Sequence, residues 1–123
     1  MTGDVKRERV LDAGAPEDFV EGKFRKALIG AQEIGIVRLG DGRYYAIRNV
    51  CPHAFGPLCQ GMIEQQLVGE VGAPEIDPTR PVVACPWHGW EFDLRDGKCV
   101  SDPAWSARTF KVELRDGRVL VAY

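Results

Sequence analysis

The sequence is short of histidine, of long apolar runs and of any region dominated by charge of one sign. Its 123 residues include only two histidines, and no window is apolar for long enough to cross a bilayer as a helix. The amino end, residues 1–10, is polar and charged and lacks the apolar centre of a signal peptide. Acidic and basic residues are interleaved to a net charge of −2, so no basic stripe is present for a phosphate backbone. These absences predict a cytoplasmic protein that binds neither membranes nor nucleic acids.

Signals for α-helix are also scarce, whereas signals for tight turns are frequent. With 14 glycines and 8 prolines, the chain has room for little more than one acidic helical turn at residues 16–19. Three Asp-Gly pairs predict hairpin turns, because Asp-Gly tolerates positive φ at both central positions. Strand-like runs flank these pairs, and one more run precedes them. We therefore predict a single all-β domain over residues 1–123, a small antiparallel β-sandwich or barrel, with strands at 23–29, 34–39, 43–48, 90–94, 98–101, 109–114 and 118–123.

Residues 62–81 differ from the rest of the chain. The segment is acidic, contains three prolines and shows weak periodicity. Connections of this length without secondary structure are uncommon unless they are functional. The sequence predicts an inserted loop or an extra hairpin here.

Two short segments combine cysteine with histidine among turn-forming residues. They are Cys51-Pro52-His53 and Cys85-Pro86-Trp87-His88. A tight loop can aim a thiolate and an imidazole at one point, as a soft metal centre requires. Buried side chains without a metal are one alternative, and a tetrahedral zinc site is another. Structural zinc usually takes pairs with two to four residues between ligands, which the first pair does not match.

These segments resemble the two ligand loops of the Rieske iron–sulfur domain, which have the pattern C-x-H followed by C-x-x-H. The resemblance extends to the residues around the first pair, 49–58, and to those that follow the second, up to Asp93. It implies a Rieske fold with a cluster-binding subdomain of two loops. It also implies a [2Fe–2S] cluster with Cys51 and Cys85 on one iron and His53 and His88 on the other. The separation of the two loops is longer than is usual in the family, and the surplus falls within 62–81.

The resemblance also indicates the kind of Rieske protein. Respiratory members have an additional cysteine in each loop and hydroxyl groups that bond to the cluster sulfurs. Here Trp87 takes the place of the second-loop cysteine, and Trp90 and Phe92 stand where the hydroxyls would be. Fewer hydrogen bonds to sulfur leave the reduced cluster less stabilised, so we expect a potential near the low end of the range, about −150 mV. This is typical of ferredoxins that pass electrons from a reductase to a terminal oxygenase.

The sequence also argues against two other functional classes, an oxygenase and a reductase. An oxygenase needs a mononuclear iron bound by two histidines and a carboxylate, and both histidines are already assigned to the cluster. No Gly-x-Gly-x-x-Gly fingerprint is present, so the chain is not expected to be the reductase. A small Rieske subunit bound tightly to a larger enzyme remains an alternative, as does a redox sensor.

Two further features of the sequence have two interpretations each. Cys59 and Cys99 fall outside the ligand pattern and are expected to be buried thiols, although a disulfide between them is an alternative. The aromatic residues Phe55, Trp87 and Trp90 either form an apolar docking rim or pack the two loops together.

Overall fold

The computed structural model describes residues 9–40, 42–52, 55–70, 73–87 and 89–123. Nine strands account for most of them: β1 Val10–Asp12, β2 Arg25–Ile29, β3 Gln32–Arg38, β4 Tyr44–Arg48, β5 Met62–Glu70, β6 Ala73–Ala84, β7 Glu91–Asp93, β8 Thr109–Arg115 and β9 Arg118–Ala122. Two short 3₁₀ helices, Pro16–Asp18 and Leu58–Gln60, complete the regular structure. The described chain thus confirms the predicted all-β class and the acidic turn near residue 16. None of its helices has the length and apolar character needed to cross a membrane.

The strands form two antiparallel sheets. The larger sheet has six strands in the order β1-β9-β8-β4-β3-β2, and the smaller has three in the order β5-β6-β7. Strand β1 was not predicted: it is three residues long and pairs with β9 at the edge of the larger sheet. Such a short strand leaves no clear period of alternation in the sequence.

The hairpins at the Asp-Gly pairs follow the prediction to different degrees. Asp116 and Gly117 both have positive φ, 53° and 74°, and join β8 to β9 as expected. Gly42, with φ of 81°, lies in the turn between β3 and β4; its neighbour Asp41 is outside the described residues. The predicted strand at 98–101 is reduced to isolated bridges, in which Cys99 pairs with Phe92.

Within residues 62–81, the described parts lie in two antiparallel strands, β5 and β6, as the predicted hairpin requires. Strands β5 and β6 pair along their length with a register shift between Gln65 and Gln66, where the partner changes from Pro81 to Asp77. At this irregularity the register skips residues 78–80, and they include Pro78, which cannot donate to a regular ladder. Strand β7 pairs only with residues 82–84 of β6, so the outer part of the hairpin extends beyond the three-stranded sheet.

Strand β3 packs on both of its faces, which explains its run of four buried residues. Ile34 and Ile36 point into a core formed within the larger sheet, together with Ala46, Phe110 and Val121. Successive side chains of a strand point to opposite faces. The next residue in the run, Val37, therefore belongs to a second core, which includes Ile47, Leu58, Val83, Phe92, Cys51 and Cys85. This second core brings both predicted cysteine ligands into one hydrophobic cluster.

Candidate metal centre

The first candidate ligand loop follows β4 and is closed by a pair of backbone hydrogen bonds. The amide of Cys51 donates to the carbonyl of Gly56 at 2.9 Å, and the amide of Phe55 donates to the carbonyl of Cys51 at 2.7 Å. Cys51 is fully buried. The loop therefore begins at a cysteine whose backbone groups are both engaged, which fixes the position of its side chain.

The second candidate loop connects β6 to β7 and repeats the same arrangement. The amide of Cys85 donates to the carbonyl of Trp90, and the amide of Gly89 donates to the carbonyl of Cys85, both at 2.8 Å. Cys85 is 1% exposed. In each loop the cysteine therefore donates to the residue five positions later and accepts from the residue four positions later.

The backbone at the fourth position after each cysteine is left-handed in both loops. Gly89 has a φ of 73° and Phe55 a φ of 61°. Glycine adopts this conformation at little cost, whereas a residue with a side chain loses about 1–2 kcal/mol. Two segments far apart in the sequence thus take up equivalent loop geometries, each with a buried cysteine at its start.

His53 and His88, the other two predicted ligands, lie outside the described residues. In the sequence each falls between the hydrogen-bonded ends of one of these loops. In the described part of the chain, no group of three His, Cys, Asp or Glu side chains is placed to hold a metal ion. The donor set, two thiolates and two imidazoles on paired loops, fits a Rieske [2Fe–2S] cluster.

Close backbone approaches hold the neighbourhood of the two loops together. A Cβ atom on Gly61 would overlap the carbonyl oxygen of Ala84, immediately before Cys85. A Cβ atom on Gly56 would lie 2.9 Å from the indole ring of Trp87. At both positions the absence of a Cβ atom allows the close approach. The backbone at Gly56 and Gly61 therefore packs directly on the second loop and on the residue before it.

The three aromatic residues near the loops differ in exposure and in packing. Phe55 is 77% exposed and Trp87 is 57% exposed, as a docking rim would require, but Trp87 also packs against Gly56 of the first loop, as the alternative requires. Trp90 is half-buried and packs edge-to-face on Trp105, with 5.9 Å between ring centroids. Beside them an open groove of about 330 Å³ is lined by Gln60, Gly61, Met62, Ala84, Cys85 and Pro86.

Cys59 and Cys99 are separate buried thiols and do not form a disulfide in the described structure. The Sγ atom of Cys59 lies 3.7 Å from the carbonyl oxygen of Ile47, and that of Cys99 lies 3.6 Å from the hydroxyl of Ser101. Burial, followed by the negative charge of Glu33, raises the pKa of the Cys59 thiol to about 12. Cys59 is therefore an uncharged packing residue at neutral pH.

The resemblance includes Asn49 in the segment of the first loop but assigns it no role; it is a buried amide just before that loop. Its side chain accepts a hydrogen bond from the amide of Cys59 at 2.6 Å and donates to the carboxylate of Glu33 at 2.7 Å. Asparagine near a turn is common, so its spacing alone carries no signal for this role.

Comparisons with known proteins match nearly the whole chain. The family model for the Rieske-like [2Fe-2S] domain matches residues 11–122. Ferredoxin CarAc of Metapseudomonas resinovorans is 28% identical over 114 residues, which cover 91% of this chain and 92% of the ferredoxin.

Solved structures give the same fold. The Escherichia coli protein NirD superposes with a TM-score of 0.75 at 24% identity, covering 95% of this chain and 98% of its own. A complex of reduced oxygenase and oxidized ferredoxin in carbazole 1,9a-dioxygenase contains a chain with a TM-score of 0.68 at 29% identity, with 92% of both chains covered.

Proposed function

Because this chain belongs to the family of Rieske-like [2Fe-2S] domains, we propose that it is a one-electron carrier whose cluster is held by Cys51, His53, Cys85 and His88. The observation that carries the assignment is the equivalence of the two loops. Each starts at a buried cysteine, each is closed by the same pair of hydrogen bonds, and each contains one histidine in its sequence.

The described residues supply a defined environment for the thiolates. Cys51 and Cys85 lie in one apolar cluster with Leu58 and Phe92, which excludes water from their side. When bound, the cluster supplies a one-electron redox couple. The low polarity of its surroundings and the absence of a hydroxyl at Phe92 both disfavour the more negative reduced state, which supports a low potential.

The chain itself is proposed to be a carrier and not an enzyme. Its two histidines are both assigned to the cluster, so no histidine is left for a mononuclear iron site. The relatives with matching length are consistent with this, since CarAc is a ferredoxin and is covered over 92% of its length.

The proposed partners are a reductase as electron donor and a terminal oxygenase as acceptor. A ferredoxin with 29% identity to this chain forms a complex with an oxygenase in carbazole 1,9a-dioxygenase. In this chain, the exposed Phe55 and Trp87 lie on the two ligand loops, where a partner could approach the cluster. A cytoplasmic location is proposed with this role.

A second candidate is a small Rieske subunit held permanently in a larger oxidoreductase. The β5–β6 hairpin favours it, because its outer part, residues 66–70 with 73–77, extends beyond the pairing with β7. A permanent interface would cover this arm. Gel filtration of the chain co-expressed with its genomic neighbours separates the two: a stable complex supports the subunit, and a monomeric chain supports the carrier.

The direct test is the electron paramagnetic resonance (EPR) spectrum of the dithionite-reduced protein. We expect the low average g value of a [2Fe–2S] cluster with two histidine ligands. His53→Ala or His88→Ala should abolish the signal, whereas Cys59→Ser and Cys99→Ser, which are matched thiol controls, should retain it. An average g value of the all-cysteine type, or stoichiometric zinc without a signal, would refute the assignment.

A further inference from the structure

Asn49 is one of two buried polar or charged residues among those that the structure describes, and it lies two positions before Cys51. It is 8% exposed and uses both ends of its side chain. The Oδ1 atom accepts from the amide of Cys59 at 2.6 Å, and the Nδ2 atom donates to Oε1 of Glu33 at 2.7 Å. Its backbone amide also donates to the carbonyl of Glu33 at 2.9 Å. One side chain thus connects three segments of the chain.

These contacts lie at the neck of the first ligand loop. The chain leaves β4 at Asn49, passes through Cys51 and Gly56, and returns to the protein body at Cys59. The hydrogen bond between Asn49 and Cys59 therefore joins the point of departure to the point of return. The bond to Glu33 fixes this neck to β3 of the larger sheet.

The returning side of the neck is held in place by packing as well. The Cys59 side chain lies against Gly35 of β3, where a Cβ atom would overlap its sulfur. Its thiol is 3.7 Å from the carbonyl oxygen of Ile47. With Cys59 held in this way, its amide is the fixed partner to which the Asn49 side chain bonds.

The orientation of the amide follows from its partners. A backbone N–H can only donate, so the atom of Asn49 that faces Cys59 must be its oxygen. Its NH₂ group then faces Glu33, whose carboxylate can only accept. If the amide is lost, the buried N–H of Cys59 has no acceptor at this place, which is costly in a site closed to water.

We propose that Asn49 is a positioning residue for the cluster, which clamps the first ligand loop at its neck and so fixes the ligands of that loop relative to Cys85. The inference rests on the proposed function, since it concerns the ligands of the proposed cluster. Asn49 itself touches no iron in this proposal. It acts through the width of the neck between residues 49 and 59.

The sharpest test exchanges donor and acceptor between Asn49 and Glu33. Asn49→Asp keeps an acceptor for the amide of Cys59 but places a carboxylate oxygen against the carboxylate of Glu33. Adding Glu33→Gln to Asn49→Asp supplies an amide donor at position 33. The hydrogen bond then runs from position 33 to position 49, the reverse of its direction in the wild type. Glu33→Gln alone retains an acceptor for Asn49 and serves as the matched control.

The readouts are the EPR spectrum of the reduced holoprotein and the rate of iron release to a chelator, both at one neutral pH. We expect Asn49→Asp to shift or broaden the g values and to release iron at least about fivefold faster than the wild type. The double variant should return within about twofold of the wild-type rate and restore its spectrum. Glu33→Gln alone should resemble the wild type.

A control for general loss of stability uses Asp93, the other buried polar residue among those described, which lies in β7 and whose side chain accepts hydrogen bonds from Arg95. Asp93→Asn should lower the unfolding midpoint while leaving the EPR spectrum unchanged. If Asn49→Asp likewise lowers the midpoint without changing the spectrum or the iron-release rate, or if the double variant restores neither, the clamp is overturned. A wild-type protein that gives no Rieske spectrum overturns the proposed function instead.

Discussion

The indole of Trp87 lies against the backbone of Gly56, so that a Cβ atom at position 56 would stand 2.9 Å from its Cδ2 atom and 3.0 Å from its Cγ atom. Gly56 accepts the hydrogen bond that closes the first ligand loop, and Trp87 belongs to the second. The two loops are therefore held against each other at this point by side-chain packing. By the resemblance, Trp87 stands where respiratory Rieske proteins have a cysteine.

Gly56→Ala should disturb this contact between the loops. The added methyl group forces the indole aside, and such overpacking typically costs about 1–3 kcal/mol. Because Trp87 is 57% exposed and can move outward, we expect a loss near 1 kcal/mol in the free energy of unfolding, with faster release of iron. Urea denaturation and chelator kinetics of the holoprotein measure both quantities.

Two comparisons make this prediction specific. In a Trp87→Ala background the methyl group has no ring to displace, so Gly56→Ala should then cost little, and the two changes should be coupled. Gly40→Ala is the matched control, because the nearest atom to its Cβ is the movable Glu21 carboxylate at 3.3 Å. Equal costs for Gly56→Ala in both backgrounds would contradict the direct contact.

The fold could be predicted where local chemistry decides it. Asp116-Gly117 forms its hairpin because both residues tolerate positive φ, and the flanking alternation sets the faces of β8 and β9. The length of a ladder was harder to predict than its turn. Cys99 bridges to Phe92 across the Asp96-Gly97 turn and the amide of Val100 donates to the carbonyl of Glu91, as a hairpin requires. However, Lys98 bridges to Ser106, and no continuous strand forms over the described residues 98–101.

The site could be predicted as a set of residue types and not as a set of contacts. The spacing of cysteine and histidine and its resemblance to a known pattern indicated four ligands, of which the structure describes Cys51 and Cys85. The supports of the loops could not be found in this way. Asn49 meets Glu33 from a strand 16 residues earlier, and Trp87 meets Gly56 across two loops. Such contacts exist only once the sheets have assembled.

The carboxylate of Asp93 should contribute stability that depends on pH. Its burial alone would raise its pKa, but hydrogen bonds from the Arg95 amide at 2.8 Å and the Arg95 guanidinium at 2.7 Å outweigh this. The pKa of Asp93 therefore lies below its ordinary value of 3.8. With the pKa lowered in the folded state, the contribution is complete above the unfolded pKa of about 4 and is lost as the pH falls through the folded pKa.

Asp93→Asn tests this contribution. We expect a loss of about 1–2 kcal/mol at pH 7, since the bonds are charge-assisted but Arg95 is 42% exposed. The difference from the wild type should stay constant down to about pH 4.5 and shrink below it. Urea denaturation at a series of pH values measures the difference. Asp12→Asn, at an exposed pair with Arg118, should cost much less; a difference for Asp93→Asn that grows in acid would contradict the sign.

The thiol of Cys59 should be unreactive in the folded protein. With its pKa raised to about 12 by burial and by the charge of Glu33, about one molecule in ten thousand carries the thiolate at pH 8. Iodoacetamide should therefore leave Cys59 unmodified in the holoprotein, whereas an exposed cysteine introduced by Leu28→Cys should be labelled under the same conditions. Peptide mass analysis after digestion assigns the label, and rapid modification of Cys59 would show that the thiol is accessible.

The same pKa predicts a loss of stability in alkali. Since the pKa of this thiol is raised on folding, its contribution is complete below the unfolded pKa of about 9 and is lost as the pH rises toward 12. The difference in unfolding free energy between the wild type and Cys59→Ser should therefore shrink above about pH 9. A difference that is constant from pH 7 to about 10.5 would contradict the raised pKa.

Phe92 offers a test of the low potential. It is fully buried in the same apolar cluster as Cys51 and Cys85, and by resemblance it stands where respiratory members carry a tyrosine hydroxyl. Phe92→Tyr should supply a donor to the cluster sulfurs, which stabilises the more negative reduced state. A gain of about 1 kcal/mol in that state corresponds to a rise of about 40 mV for a one-electron couple. Redox titration of the holoprotein followed by EPR measures the midpoint.

Phe110→Tyr is the matched control for this change, because Phe110 lies in the other core, among the residues of the larger sheet. Phe110→Tyr should leave the redox midpoint of the cluster unchanged. An unchanged midpoint in Phe92→Tyr would mean that the new hydroxyl does not reach the sulfurs. A wild-type midpoint well above zero would refute the low potential itself, because the low-potential prediction requires that few hydrogen bonds reach the cluster sulfurs.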